Sequence, residues 1–235
     1  MISVVIPVYN EAELLARSVR TVNEYLVMRT IEHEVVVVSN GSTDSTVQAA
    51  RALAEENSWL RVVELPERGP GAAFVAGVRE ARGEFIVSLD ADLSSELKFL
   101  DFANDLLKYA DMVVGSKTLG RQRRSAVRVI GSQLYLLFTY LLFDLTISDF
   151  SIGAKAYRRD AILSALSHLD TWTGYVFELC LYLRLRGKRI LQIGIECDDK
   201  RKSRFNLIHE AFHRYTHLFR CRRLLSEPHS WFRSA

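Results

Sequence analysis

Between Ile2 and Ser116 the chain alternates between two hydrophobic periods, and that alternation limits the folds open to it. Ile2 to Val8, Val35 to Val38, Leu60 to Leu65, Phe85 to Leu89 and Met112 to Gly115 are short, apolar and rich in β-branched residues, as strands covered on both faces are. Between them lie stretches with helical spacing or helix-start signals. Near 11–28, Leu14, Leu15, Val19, Val22 and Leu26 keep close to a 3.6-residue period. Further helices are expected near 45–56, behind a turn rich in capping residues, near 72–81, behind Gly69-Pro70-Gly71, and near 95–109. Strand–helix alternation calls for a mostly parallel sheet with right-handed crossovers and helices on both faces, a doubly wound α/β fold. A dinucleotide-binding fold would carry GxGxxG after its first strand. Here that turn carries Tyr9, Asn10 and Glu11.

One strand ends in unusual chemistry. Phe85 to Leu89 runs straight into Asp90-Ala91-Asp92. In open α/β sheets ligands bind beyond the carboxyl ends of the strands, so both carboxylates are expected in that crevice. Two close carboxylates repel unless a cation relieves them. A hard divalent ion held by one or two carboxylates, with water and substrate phosphates completing its shell, is an economical solution. The motif therefore points to Mg²⁺ or Mn²⁺ and a diphosphate-bearing substrate, although Asp-x-Asp alone is common by chance.

Beyond residue 116 the character changes. Residues 1–116 hold 10 Lys/Arg and 18 Asp/Glu, a net of −8, against 21 and 10, a net of +11, in residues 117–235. Such a split suggests a basic surface facing an anionic partner. Lys117, Arg121, Arg123, Arg124 and Arg128 form a stretch without acids, followed by a very apolar segment, 129–143. That segment is shorter than the roughly 20 residues needed to span a bilayer, so a buried or interfacial helix is expected. The stretch from Ser148 to Arg158 reads as a loop entering a strand, a helix is expected near 175–186, a strand near 189–196, and Lys200 to Arg204 is a second basic cluster. The last helix, near 206–220, places Leu207, Ile208, Ala211, Phe212, Tyr215, Leu218 and Phe219 on one face and His209, His213, His217 and Arg220 on the other. A basic helix with an apolar face suits a lipid surface. The three cysteines lie far apart without a CxxC, and Met1 leads directly into a strand. Reduced thiols and a cytoplasmic, peripheral location at the membrane face are therefore expected.

Taken together and in order, these motifs resemble the family 2 glycosyltransferases of the GT-A fold, and within them the dolichol-phosphate mannose synthase group. The resemblance covers roughly 1–205. Val5 to Glu11 is similar to the opening strand and nucleotide-contacting turn, Ser39 to Asp44 to the second turn, and Gly71-Ala72-Ala73 with Gly77 to the Gly-rich helix start. Asp90 to Ser94 is similar to the metal motif and Asp111 to Lys117 to the following strand, where the family usually ends in Arg. Arg128 and Ser132 resemble an Arg-x-x-x-Ser pair, Asp149 to Lys155 the Asp-x-Thr-x-Gly-x-Lys/Arg loop, and Ser203-Arg204 a late Ser-Lys. Three departures bear on nucleotide choice and leave the metal motif whole: Ser39 and Asn40 stand where acids are usual, and Pro70 where Lys is.

The resemblance implies a GT-A domain over 1–205, with a nucleotide-sugar half (1–116) and an acceptor half (117–205), then a helix and tail over 206–235. It implies transfer of a sugar from a nucleotide-diphosphate sugar, with inversion. Pro7, Tyr9, Asn10, Glu11, Asn40, Gly71, Asp90 and Ala91 would contact the donor, Asp90, Asp92 and Ser94 the metal, and Arg201, Lys202 and Arg204 the leaving diphosphate. Lys117, Arg128 and Ser132 would hold a polyprenyl phosphate, since phosphates pair well with Arg. Asp92, Asp149 and Arg128 would be the catalytic residues. A phosphate acceptor is already an anion; a hydroxyl acceptor needs a base, for which Asp149 is the candidate. A family member that binds without transfer is a further alternative. Nucleic acid fits least, since no aromatic–basic pattern lies on a strand. His209-Glu210-Ala211-Phe212-His213 matches the HExxH zinc-protease motif but sits on a terminal helix, where a solvated polar face is expected.

Overall fold

The computed structural model describes residues 1–120, 126–197, 207–227 and 230–232. Strands β1 (Ile2–Val8), β2 (His33–Asn40), β3 (Leu60–Leu65), β4 (Phe85–Ser88) and β5 (Met112–Ser116) alternate with helices α1 (Ala12–Met28), α2 (Thr46–Glu56), α3 (Pro70–Glu80) and α4 (Phe99–Leu106). Then come α5 (Ala126–Phe143), β6 (Lys155–Arg158), α6 (Arg159–Ile162) with a 3₁₀ turn (Leu163–Ala165), α7 (Tyr175–Leu185), β7 (Ile190–Gly194) and α8 (Leu207–Ser226). The expected elements are all present. Helix α3 starts at Pro70, because proline's fixed φ suits a first helical turn. Helix α4 starts at Phe99 rather than near residue 95, because Ser95 bridges to Cys197.

The strands form one seven-stranded sheet in the order β3-β2-β1-β4-β6-β5-β7. All neighbours are parallel except β6, which runs antiparallel between β4 and β5. Side chains alternate between two cores, as a strand's period of two requires. Val36 and Val38 face the layer of α3, α5, α7 and α8. Val35 and Val37 face that of α1, α2 and α4. With both faces covered, central strands carry unbroken apolar runs.

The reversed strand β6 positions the site. Its first residue, Lys155, pairs with Ser88 on β4 and with Val114 on β5. The loop leading into β6 is thereby delivered to the carboxyl ends of both neighbours. Periodicity alone does not announce this reversal; β6 is a four-residue strand with no turn signal to set its direction.

Helix α8 departs from the expected faces. It runs on to Ser226. His217 is buried, whereas Phe212 and Phe219 are 71% and 57% exposed. The expected polar face therefore turns inward in part, because buried acids wait for it on α7 and the preceding loop. No helix among the described residues is long and apolar enough to cross a membrane.

Candidate active site

The β1–α1 turn is held by the β2–α2 turn. Asn10 adopts φ 55°, in the left-handed region that Asn tolerates. Its amide donates to Ser42 Oγ (3.1 Å), and its Oδ1 accepts from the Thr43 amide (2.7 Å). The Glu11 amide donates to Thr46 Oγ1 (2.8 Å). Asn40, at the end of β2, accepts from the Gly69 amide through Oδ1 (2.6 Å). An asparagine in place of the usual acid thus ties down the start of α3. Pro7 and Tyr9 are half-buried on the same strand end.

Gly71 has a backbone reason for being glycine. A Cβ there would collide with the carbonyl oxygen of Asp170 and lie 2.8 Å from that of Trp172. The Ala72 amide donates to the Thr171 carbonyl (3.1 Å). Segment 170–172 is therefore laid directly against the first turn of α3. The guanidinium carbon of Arg68 lies 4.2 Å from the Tyr9 ring centroid and 5.7 Å from that of Trp172.

At the end of β4, Asp90 is held from the far side. Its Oδ2 accepts from the Gly153 amide (2.8 Å), and a Cβ on Gly153 would lie 2.5 Å from the Asp90 carboxyl carbon. Burial pushes the Asp90 carboxyl above the usual range, and the charge of Asp92 adds to that push. Asp92 is exposed, with Oδ1 accepting from the Ser94 amide (3.0 Å) across Leu93, whose φ is 50°. A half-buried carboxyl whose charge is disfavoured, beside a solvent-facing one, is a donor set that a hard cation would relieve. Ala91 between them is buried.

Asp149 is 3% exposed and densely bonded. Its Oδ1 accepts from the Ser151 amide (2.8 Å), Ser151 Oγ (2.9 Å) and the Ile152 amide (3.3 Å), and its Oδ2 from the Lys117 amide (3.3 Å). Lys117 Nζ lies 4.0 Å from Oδ2. Burial works to raise this carboxyl, but Lys155, Lys117 and the Ser151 bonds outweigh it and hold it below the ordinary value. Lys155 is fully enclosed and donates to the carbonyls of Ile152 (2.8 Å) and Gly115 (3.3 Å). Burial lowers its ammonium to about 8 against the pull of Asp149. Asp149 is thus the hub of a loop joining the ends of β4 and β5.

Ser132 is half-buried in α5. Tyr135, three residues on, packs edge-on against Phe150 at 5.8 Å, which brings this part of α5 to the Asp149 loop. Arg128 lies in α5, but its side chain lies outside the described residues, as do Arg201, Lys202 and Arg204. Tyr175 and Lys155 went unassigned in the sequence. The half-buried Tyr175 has its phenol raised by burial and by the charge of Asp90. Its ring stacks on Phe74 at 4.9 Å. A tyrosine inside a helical run carries no sequence signal for such a position.

The HExxH residues do not converge as zinc ligands. His209 is exposed, while Glu210 accepts from Trp172 Nε1 (3.2 Å) and Thr173 Oγ1. His213 Nε2 lies 3.2 Å from Asp170 Oδ2. One turn further, the donor atoms of Glu178, His217 and Cys221 lie within 4.8 Å of one another. The thiol, however, is 3.8 and 3.7 Å from His217 Nδ1 and Nε2, about equally far from both and so off the lone-pair axis of either. His217 instead bonds Glu178 at 3.0 Å.

Comparison with known proteins gives a consistent result. The profile described as Glycosyl transferase family 2 matches residues 3–164. A dolichyl-phosphate beta-glucosyltransferase of Trichomonas vaginalis is 28% identical over 226 residues, 88% of this chain and 68% of that protein. An undecaprenyl-phosphate 4-deoxy-4-formamido-L-arabinose transferase of Pseudomonas fluorescens is 31% identical over 168 residues, 71% of this chain and 49% of that protein. The chain spans about half the length, or less, of most of the curated relatives it matches. Among solved structures, glucosyl-3-phosphoglycerate synthase from Mycobacterium tuberculosis with Mn²⁺ and UDP-glucose superposes with a TM-score of 0.70 at 21% identity, covering 94% of this chain and 78% of that one. That likeness establishes the fold as GT-A. With the family profile spanning more than half of its residues, the chain belongs to glycosyl transferase family 2.

Proposed function

We propose that this glycosyltransferase moves a sugar from a nucleotide-diphosphate sugar to a polyprenyl phosphate presented at a membrane surface. The observation that carries the acceptor class is the state of Asp149. Its carboxylate is buried, held ionised and occupied by four donors. A carboxylate so engaged is a poor proton acceptor. A hydroxyl acceptor needs a base within hydrogen-bond reach, whereas a phosphate attacks as the anion it already is. The relatives named for dolichyl and undecaprenyl phosphate support the same class.

On this reading Asp149 organises the loop, and Lys117 beside it offers its ammonium to the phosphate, with Ser132 and Arg128 contributing from α5. The donor lies over Tyr9, Asn10, Glu11, Asn40 and Gly71. Asp90 and Asp92, with Ser94, would hold a divalent cation, Mg²⁺ or Mn²⁺. When bound, such an ion stabilises the negative charge of the leaving diphosphate. Arg201, Lys202 and Arg204 are suited by charge to the same diphosphate. UDP-glucose is the first donor to try, given a relative named for glucosyl transfer and neighbours solved with UDP-glucose.

The membrane surface is proposed from α5 and α8. Ile130, Leu137 and Leu141 of α5 are 60%, 49% and 67% exposed, beside Phe212 and Phe219. The two helices are joined through Tyr215, whose ring meets Tyr135 at 5.9 Å and Phe138 at 5.5 Å. Between their far ends lies a groove of about 1080 Å³, lined by Leu141, Phe219, Arg222 and Arg223 among others. Apolar side chains bordered by arginines suit an anionic interface. The test is a donor panel of UDP-glucose, UDP-N-acetylglucosamine and GDP-mannose with Mn²⁺ or Mg²⁺, with and without dolichyl or undecaprenyl phosphate. Sugar should enter the lipid fraction only with the phosphate present; transfer to a dephosphorylated polyprenol instead would reject the acceptor.

A further inference from the structure

The polar residues of α8 make a seam that ends at the donor side of the sheet. Glu210, His213 and His217, spaced three and four residues apart, all reach segment 170–178. Glu210 accepts from Trp172 Nε1 and Thr173 Oγ1, His213 lies against Asp170, and His217 bonds Glu178. The segment is further tied to itself: the Asp170 amide donates to Glu178 Oε2 (2.5 Å), and the Gly174 amide donates to Asp170 Oδ2 (2.8 Å). Its other side is the contact with α3, where the carbonyls of Asp170, Thr171 and Trp172 leave no room for a side chain on Gly71. Tyr9 and Trp172 both lie close to the guanidinium of Arg68.

We infer that Glu210 is a positioning residue for the donor: through Trp172 and Thr173 it holds the wall formed by segment 170–172, and with it the Tyr9–Arg68 pair, against the entrance to α3. This rests on the donor reading proposed above. Arg214 supports the brace. Its Nε lies 2.7 Å from Glu210 Oε1, and its guanidinium carbon lies 5.8 Å from the Tyr135 ring centroid. Burial works to raise the Glu210 carboxyl, but Arg214, Thr173 and Trp172 outweigh it, so the brace stays ionised at neutral pH. The brace reaches two indole- and hydroxyl-bearing residues of one loop, so its effect belongs to donor binding rather than to the chemical step.

The experiment uses the full chain and reads UDP and GDP binding with Mn²⁺ by calorimetry, together with donor KM, kcat and melting temperature. Glu210→Ala should weaken binding of the preferred nucleotide and raise donor KM by about tenfold, the size of a lost charged hydrogen bond, with kcat nearly unchanged. Glu210→Gln should fall between wild type and Glu210→Ala, because its single amide oxygen keeps the Thr173 and Arg214 bonds made at Oε1 while its NH₂ replaces the oxygen that accepts from Trp172. Trp172→Phe removes the indole donor without touching α8 and should shift donor KM in the same direction, which decides the matter if Glu210→Ala fails to fold. Leu225→Ala removes a buried apolar side chain near the far end of α8 and should lower the melting temperature while leaving donor KM alone. The brace is overturned if Glu210→Ala or Trp172→Phe binds nucleotide as wild type does. It is equally overturned if Leu225→Ala raises donor KM as much as Glu210→Ala. If the wild type binds neither UDP nor GDP, the donor reading itself falls, and the brace with it.

Discussion

At the residue scale the two aspartates divide their work by environment. Asp92 is solvent-facing and Asp90 is half-buried against Gly153, so Asp90 carries the electrostatic strain. On the proposed reading Asp92→Ala removes metal-dependent donor binding, and Asp90→Ala is nearly as severe; calorimetry with and without Mn²⁺ measures both. Asp90 adds a pH signature. Its carboxyl is raised by burial and then by Asp92, so protons compete with cation binding above the ordinary carboxylate range, and Mn²⁺ affinity should fall as pH is lowered towards that raised value. Asp149 has the opposite sign. Its folded value is depressed, so its contribution to stability is present above the unfolded value of about 3.9 and is lost as pH falls through the folded one. Asp149→Asn should leave this pH dependence of Mn²⁺ affinity in place, because the titrating group is Asp90. The Asp-x-Asp motif was legible in the sequence because both carboxylates follow directly on a strand. The hub role of Asp149 was not, since its donors come from folding Ser151, Ile152 and Lys117 back onto it.

At the scale of elements, the alternation of short apolar runs with amphipathic stretches carried most of the fold, because buried parallel strands admit little else. The reversal of β6 and the orientation of α8 escaped it for different reasons. A four-residue strand has too few positions to declare its direction. Helix α8 carries apolar residues on more than one side, and its docking was decided by Asp170 and Glu178, acids far away in sequence that claim His213 and His217. Phe212 and Phe219 are consequently left outside. If α5 and α8 form a lipid surface, Phe212→Ser with Phe219→Ser should cut sedimentation with anionic liposomes several-fold while leaving the melting temperature nearly unchanged. Binding by the intact chain should weaken as salt rises, because screening shortens the reach of Arg220, Arg222 and Arg223. Full recovery in the supernatant at low salt, for the wild type, would reject the surface.

At the scale of the whole molecule, the acidic half supplies the sheet edge and the carboxylates, and the basic half supplies the ammonium groups and the exposed apolar helices. Loop 149–154 and segment 170–174 cross between the two halves, which is how an Asp-x-Asp end and a lysine far along the chain meet at one crevice. On the proposed reading the acceptor is a phosphate that needs no base. Transfer of labelled sugar to polyprenyl phosphate at saturating donor should then separate two variants, Lys117→Ala and Asp149→Asn. Lys117→Ala should raise acceptor KM and lower efficiency ten- to a hundredfold, the loss of about 1.5–3 kcal/mol of charged hydrogen bonding, with donor binding intact. Asp149→Asn should keep measurable turnover and lose less than the hundred- to ten-thousandfold that removal of a general base costs. An inactive Asp149→Asn beside a Lys117→Ala of wild-type efficiency would contradict the account and assign the acceptor to a hydroxyl.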